Sequence, residues 1–168
     1  MILRNLNRFQ FLSSEAEKLR KDFILIHKDV RLHSVSADLR STAPTDSGCY
    51  FWTMRHDDAE YKIYIGRTRS LRKRLTDYAN EIQIHAPNDY KLRFFQEFIH
   101  EVEAGAAFDL YFQAVGEDEF KRRELDFVKR YQPFVNFLRR PTADDRARIR
   151  DGLRAYYREA FAHRLADA

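Results

Sequence analysis

The stretch YKIYIGRTRSLRKRL, residues 61–75, joins a strand pattern to a strongly basic helix pattern. Its first half alternates isoleucine with Lys62 and Tyr64, which is the period of a half-buried β-strand. Gly66 ends this pattern, and a glycine there lets a bulky group approach the backbone. Five cations then follow within eight residues: Arg67, Arg69, Arg72, Lys73 and Arg74. The stretch therefore predicts a strand that delivers the chain directly into concentrated positive charge.

Two further segments have strand patterns. GCYFWTMR, residues 48–55, is rich in aromatic residues, and the polar segment HDDAE separates it from residues 61–66. Two strands joined by so short a turn form an antiparallel hairpin. FDLYFQAV, residues 108–115, alternates apolar residues and predicts a third strand.

The remaining segments have helical patterns. The first, residues 14–30, has Ser14 as a plausible N-cap and Glu17 as its capping-box partner. The polar segment after it, SVSADLRSTAPTDSG, has the composition of a linker. The other predicted helices are SLRKRLTDYAN capped by Ser70, the segment 87–105, the segment 117–131, and a last helix over about 143–165.

This order of elements predicts an α+β fold with a small three-stranded antiparallel sheet flanked by helices, because three strands cannot bury both of their faces alone. We expect residues 1–45 to form an N-terminal helical arm and linker. Residues 46–137 form the main domain, and residues 138–168 form a C-terminal helical extension packed on it.

The chain has 168 residues, a formal net charge of +4 and a pI near 9.2. Its cations cluster at 67–74, 121–130 and 139–150, which fits either three solvated helix faces or a surface for a polyanion. The single cysteine, Cys49, excludes an internal disulfide. The N-terminus lacks a secretory apolar core, and the run FILI is too short to span a bilayer, so we expect a soluble cytoplasmic protein.

Glu124 interrupts the apolar stripe of the predicted 117–131 helix. Phe120, Phe127 and Tyr131 lie on one side at helical spacing, and position 124 belongs to that side. A carboxylate directed inwards is costly unless it is paired or holds a metal. Two interpretations stay open: a salt bridge to one of the many cations, or a ligand of Mg²⁺, which one or two carboxylates commonly hold together with waters and phosphate.

The chain offers phenols, cations and one such acid, without a serine or cysteine nucleophile beside a base. Tyr50 can share a sheet face with Tyr64 and Lys62, and a helix that begins at Ser70 places Arg74 near that face. This set suits phosphodiester hydrolysis by water. A phenol with a pKa of about 10 is a weak base, but a nearby metal and cations favour the phenolate. Ordinary amphipathic packing is the alternative explanation of the tyrosines.

The motifs together resemble the GIY-YIG endonucleases over about residues 47–137. They are GCY at 48–50, YIG at 64–66, the basic RTRSLRKRL, and Glu124 placed twelve residues before the asparagine of PFVN. Within that family, SLRKRLTDY and ELDFVKRYQPFVN are similar to the N-terminal incision domain of UvrC-type excision-repair nucleases. Cys49 replaces the usual isoleucine, and the two motif tyrosines stand fourteen residues apart, slightly more than is usual in the family.

The resemblance implies a metal-dependent endonuclease that hydrolyses DNA with one divalent cation, Mg²⁺ or Mn²⁺. It implies that Tyr50 acts as general base or positions the water, that Tyr64 lies near the phosphate, and that Arg74 stabilises the phosphate. Tyr78 helps to orient the reacting groups, Glu124 binds the metal, and Asn136 supports the site. The cations expected to contact the nucleic acid are Lys62, Arg67, Arg69, Arg72 and Lys73.

Two other functions stay open. The basic clusters suffice for a module that binds nucleic acid or protein without cutting, with salt-dependent affinity and no metal requirement. The extra helical segments alternatively form an oligomer interface or a surface for an inhibitor. The sequence leaves open whether the substrate is DNA or RNA, and which oligomeric state the protein adopts.

Overall fold

A computed structural model describes residues 2–80, 87–103, 105–138, 142–144 and 155. Most of the predicted helix over about 143–165, and with it most of the predicted extension 138–168, lies outside the described residues. The predicted division into three parts therefore stays a prediction.

The centre of the fold is a four-stranded antiparallel sheet with strand order β1-β4-β2-β3. The strands are β1 (Ile24–His27), β2 (Gly48–His56), β3 (Ala59–Thr68) and β4 (Ala107–Ala114). The α+β class is confirmed, and the predicted strands β2, β3 and β4 are all present. The expectation of three strands was wrong, because β1 adds a fourth.

The strand β1 arises where the sequence predicted a continuous helix over 14–30. Helix α1 spans only Ser13–Asp22, and it begins two residues before the predicted capping box, with the Glu15 carboxylate accepting a 2.9 Å hydrogen bond from the backbone N–H of Leu12. Ile24 and Leu25 then pair with Phe112 and Tyr111 of β4. After the helix the chain satisfies backbone groups of β4 by pairing with them, a long-range contact that no local pattern reveals.

The β2–β3 hairpin forms as predicted, with Asp57 at φ 51° in its turn. Tyr50 pairs with Gly66 and Trp52 pairs with Tyr64, but Thr53 pairs with Lys62. One extra residue of β3, Ile63, therefore forms a β-bulge. This bulge separates Lys62 from Tyr64, so the expectation that they share one sheet face was wrong.

Four more helices complete the described part of the chain: α2 (Ala37–Thr42), α3 (Leu71–Ala79), α4 (Pro87–Val102) and α5 (Phe120–Tyr131). The predicted cap of α3 is confirmed, because the Ser70 hydroxyl accepts from the backbone N–H of Lys73 at 3.3 Å. The predicted linker contains α2, capped by Ser36. Short 3₁₀ segments occupy Ile2–Phe9, Leu32–Ser34 and Val135–Phe137.

The sheet separates two apolar clusters. On the front face, Tyr50, Trp52 and Tyr64 pack with residues of α3 and α4. On the back face, Cys49, Phe51 and Ile65 pack with the two large apolar residues of α5 that face the sheet. Helices thus cover both faces, as the α+β class requires.

The N-terminal segment contacts the outer edge of β3. The backbone N–H of Phe11 donates to the Glu60 carbonyl at 2.9 Å, and Gln10 forms an isolated bridge with Tyr61. An uncovered strand edge presents open backbone groups, and the N-terminal segment satisfies some of them here. Within the described residues, none of the helices has the length and apolar character needed to cross a membrane.

Candidate active site

Gly66 lies on the edge strand β3 directly beneath the ring of Tyr50. A Cβ atom at this position would stand 2.5 Å from the Tyr50 hydroxyl and 2.6 Å from its Cζ. Only a residue without a side chain leaves room for the ring, which explains the glycine in physical terms. The Tyr50 side chain therefore crosses β3 and brings its hydroxyl to the strand at the outer edge of the sheet.

Three phenols gather on the front face around this point. The Tyr50 and Tyr64 rings lie 6.1 Å apart between centroids, and the Tyr50 hydroxyl lies 3.1 Å from the Tyr78 hydroxyl. Their side chains are almost completely buried, with 1%, 4% and 1% exposure for Tyr50, Tyr64 and Tyr78. Tyr50 and Tyr64 share one sheet face, as expected from their strand positions, and Tyr78 of α3 lies against Tyr50.

Arg74 precedes Tyr78 by one turn of α3. Side chains four residues apart on a helix are neighbours, so the half-buried Arg74 lies beside the ring that contacts Tyr50. The C-terminal end of α3 is held from α4, where the buried guanidinium of Arg93 donates to the Tyr78 carbonyl. Arg93 was not among the predicted site residues.

Asn136 joins the segment after α5 to β3. Its Oδ1 accepts from the Ile65 N–H at 2.9 Å, and its Nδ2 donates to the Ile65 carbonyl at 2.8 Å. At this point of the edge, the Asn136 amide therefore makes the two hydrogen bonds that a neighbouring strand would otherwise make. Because outward-pointing groups alternate along an antiparallel strand, the N–H of Arg67 also points away from β2.

Lys91 holds the segment that carries Asn136, and it also was not predicted. Its buried ammonium donates to the Val135 carbonyl at 2.9 Å and to the Leu138 carbonyl at 3.1 Å. A signal existed, because Lys91 stands four residues before Phe95 and so belongs to the apolar stripe of α4. A cation at that position requires a buried partner.

Glu124 lies on the back face, where it forms an ion pair with Arg67. Its side chain is 15% exposed and that of Arg67 is 40% exposed. Burial raises the pKa of Glu124, while the charge and hydrogen bond of Arg67 act in the opposite direction. The thiol of Cys49 is buried on the same face, and burial together with the Glu124 charge raises its pKa to about 12.

The acid and the phenols thus occupy opposite faces of the sheet, and only the edge strand separates them. Tyr50 covers Gly66 from the front, and Glu124 approaches Arg67 from the back. Gly66 and Arg67, the two residues that these side chains approach, are consecutive in β3.

The predicted nucleic-acid-binding cations divide into two sets. Four of them are exposed at the end of β3 and on α3: Arg67, Arg69, Arg72 and Lys73. The Arg69 guanidinium pairs with Glu117 at 2.9 Å. Lys62 is buried instead, and its ammonium donates to both carboxylate oxygens of Glu15 at 3.0 and 2.9 Å. In that placement the charge of Lys62 is neutralised by an acid of α1.

Comparison with protein-family models, with curated proteins and with solved structures finds no match to this chain. The resemblance to GIY-YIG endonucleases therefore stays a prediction carried by the motif residues. Within the described ranges, no group of three or more histidine, cysteine or acidic side chains is gathered as a metal cage. Any cation held at Glu124 would take most of its ligands from water and substrate.

Proposed function

We propose that the protein is a metal-dependent endonuclease that hydrolyses DNA phosphodiester bonds with a tyrosine-assisted water. The observation that carries the proposal is the convergence of predicted residues on residues 64–67 of β3. Tyr50 lies on Gly66, Asn136 binds both backbone groups of Ile65, and Glu124 pairs with Arg67. A strand edge that combines phenols, cations and one carboxylate has the groups that phosphodiester hydrolysis needs.

The donor set at the edge fits Mg²⁺ or Mn²⁺. One carboxylate is enough where waters and phosphate oxygens supply the remaining ligands, and Glu124 is a single carboxylate that keeps 15% exposure. The bound cation would neutralise charge on the phosphate and promote ionisation of a water. Arg67 now forms an ion pair with Glu124, so its guanidinium must turn to a phosphate when the carboxylate takes the cation.

The remaining residues orient and polarise the reacting groups. The hydroxyls of Tyr50 and Tyr78 are within hydrogen-bond distance of each other, so either can pass a proton or hold the attacking water. Tyr64 lies beside them towards the phosphate, and Arg74 offers a cation for the developing negative charge. Asn136 keeps the strand in place through both of its hydrogen bonds to Ile65.

The exposed cations at the end of β3 and on α3 support a polyanionic substrate. Arg67, Arg69, Arg72 and Lys73 line one continuous stretch of chain and are suited to phosphate contacts. We propose DNA as the substrate, and the cleavage test described below includes RNA for comparison. We also propose action in the cytoplasm, where the buried free thiol of Cys49 remains reduced.

The alternative function is a module that binds nucleic acid without cutting it. Two observations favour it: the side chains of the three tyrosines are almost completely buried, and Glu124 is already paired. Such a module binds with strong salt dependence and needs no divalent cation. A requirement for a divalent cation therefore distinguishes the nuclease from the binding module.

The test is cleavage of plasmid and of structured DNA and RNA oligonucleotides by purified protein, with and without Mg²⁺ or Mn²⁺. Wild type should cleave only with the metal, and Glu124→Ala should lose cleavage by at least about a hundredfold. Glu117→Ala removes an exposed carboxylate from a similar ion pair and serves as the matched control. Cleavage that is undiminished in Glu124→Ala, or salt-dependent binding without any cleavage, contradicts the proposal.

A further inference from the structure

A pocket of about 530 Å³ lies beside β3, and its lining residues do not include Tyr50, Tyr64 or Tyr78. We call it the arm pocket, because the N-terminal segment forms one of its walls. Its lining includes Arg8, Phe9, Glu15, Lys62, Arg130 and Phe137. The volume lies within the range of small-ligand sites in proteins. The active-site residues do not use this pocket.

Among the charged side chains that line the arm pocket, one cation has no acidic partner within the described residues. The Glu15 carboxylate is neutralised by the Lys62 ammonium, and Arg130 pairs with Asp22 at 2.7 Å. Arg8 has no carboxylate partner within the described parts of the chain, and its guanidinium lies 4.8 Å from the centre of the Phe9 ring. The pocket therefore favours a ligand with negative charge.

The second feature of the arm pocket is an aromatic wall. Phe137 is 56% exposed, although large apolar side chains are usually buried. Tyr131 lines the pocket as well, at the end of α5. An exposed ring beside an uncompensated arginine is the combination on which single-stranded bases stack while their phosphates are held.

The arm pocket is close to the proposed active site. Phe137 follows Asn136 directly, and Lys62 stands four residues before Gly66 on β3. Four strand residues span roughly 13 Å. A stacked DNA strand advances about 3.4 Å per nucleotide, so this distance is about four nucleotides, or fewer where the strand is unstacked. One strand can therefore reach both places.

We propose that the arm pocket binds one unpaired nucleotide of the DNA strand held at Gly66, with its base on Phe137 and its phosphate near Arg8. This inference rests on the proposed function and names its substrate class, namely DNA with an unpaired base or single-stranded flank near the cut. Fully paired DNA keeps its bases stacked inside the helix and leaves the pocket without an occupant.

The test uses Glu124→Gln as the binding protein, so that the probe stays intact. The probe is a DNA duplex with one bulged 2-aminopurine, and the comparison is the same duplex fully paired. The bulged duplex should bind about tenfold tighter, and stacking on Phe137 should quench the 2-aminopurine fluorescence. Adding Phe137→Ala should abolish both effects, and Arg8→Gln should weaken the bulged duplex more than the paired one.

Leu125→Ala is the matched control, because Leu125 is a half-exposed apolar residue outside the pocket. It should change neither the preference nor the quenching. Equal affinity for the two duplexes, or quenching that survives both pocket variants, overturns the inference and leaves the proposed nuclease intact. Failure to bind either duplex contradicts the proposed function, and the inference that rests on it then fails as well.

Discussion

The two faces of the sheet are built from the same hairpin, yet they carry different chemistry. On the front face, Tyr50 and Tyr64 contribute phenols to a cluster that α3 and α4 cover. On the back face, Cys49 and Ile65 belong to an apolar cluster under α5, and Glu124 is the acid beside it. The alternation of side chains along β2 and β3 is the cause of this division.

The difference shows why the edge strand matters. Side chains from opposite faces of a sheet meet only where the sheet ends, and β3 is an outer strand. Gly66 lets the Tyr50 hydroxyl reach that edge, while Arg67 draws Glu124 towards it from behind. Two faces that would otherwise be independent can therefore serve one site.

The front face can be broken at Gly66, and this change should have the largest effect. In Gly66→Ala the new Cβ collides with the buried Tyr50 ring, which must turn away and take its hydroxyl with it. We expect cleavage to fall by about a hundredfold or more. Overpacking should also lower the free energy of unfolding by about 1–3 kcal/mol. Cleavage assays and denaturant melts measure the two quantities.

Gly48→Ala provides the control for that experiment. Its Cβ would lie 2.2 Å from the Gln113 carbonyl oxygen, so it disturbs the β2–β4 pairing instead of the Tyr50 hydroxyl. It should lower stability at least as much as Gly66→Ala while its folded fraction keeps more activity. Equal loss of activity per folded molecule in both variants would refute a special role for Gly66.

The back face can be tested through two ion pairs of different burial. Glu124 of the Arg67 pair is 15% exposed, whereas both members of the Arg69–Glu117 pair are exposed. Arg67→Gln should raise the affinity of the free protein for Mn²⁺ by about fivefold, because the carboxylate no longer has a competing partner. Arg69→Gln should leave it unchanged, as measured by electron paramagnetic resonance titration at pH 8.

The same two variants should weaken DNA binding alike, since each removes one exposed cation and reduces the salt slope by about one. This shared effect separates phosphate contacts from the pairing of Glu124. A rise in Mn²⁺ affinity in both variants would indicate a general charge effect and would remove the special role of Arg67.

The smallest expected effect is on the pH profile. Metal binding needs ionised Glu124, and burial raises the pKa of that carboxyl. As the pH is lowered, the cleavage rate should therefore begin to fall at a pH above the usual glutamate pKa of about 4.3. Arg67 lowers the pKa of Glu124, so Arg67→Gln should move the acid limb to higher pH. An unmoved limb in rate–pH measurements would mean that another group controls it.

Local patterns predicted most of the elements around the site. The hairpin, the Ser70 cap and the inward position of Glu124 follow from alternation, capping and helical period, which are properties of short segments. The strand β1 could not be predicted, because FILI continues a helical pattern without a glycine or proline and becomes a strand only by pairing with β4.

The sequence singled out the residues of the candidate site, but it did not reveal their arrangement. The bulge at Ile63 changes the face of Lys62, and nothing in the alternation of YKIYIG reveals it. Likewise, the positions of Tyr50 and Glu124 on opposite faces depend on which helix covers which face. That choice is made by packing of the whole fold, through the two apolar clusters.

The most direct test of a cation shared by both faces at Gly66 is Mn²⁺-induced broadening of backbone amide signals in nuclear magnetic resonance spectra. Signals of front-face Tyr64, of Gly66 itself and of back-face Glu124 should all broaden at low Mn²⁺, and Glu124→Gln should abolish the effect. Broadening confined to residues remote from β3, or broadening that persists unchanged in Glu124→Gln, would contradict the account.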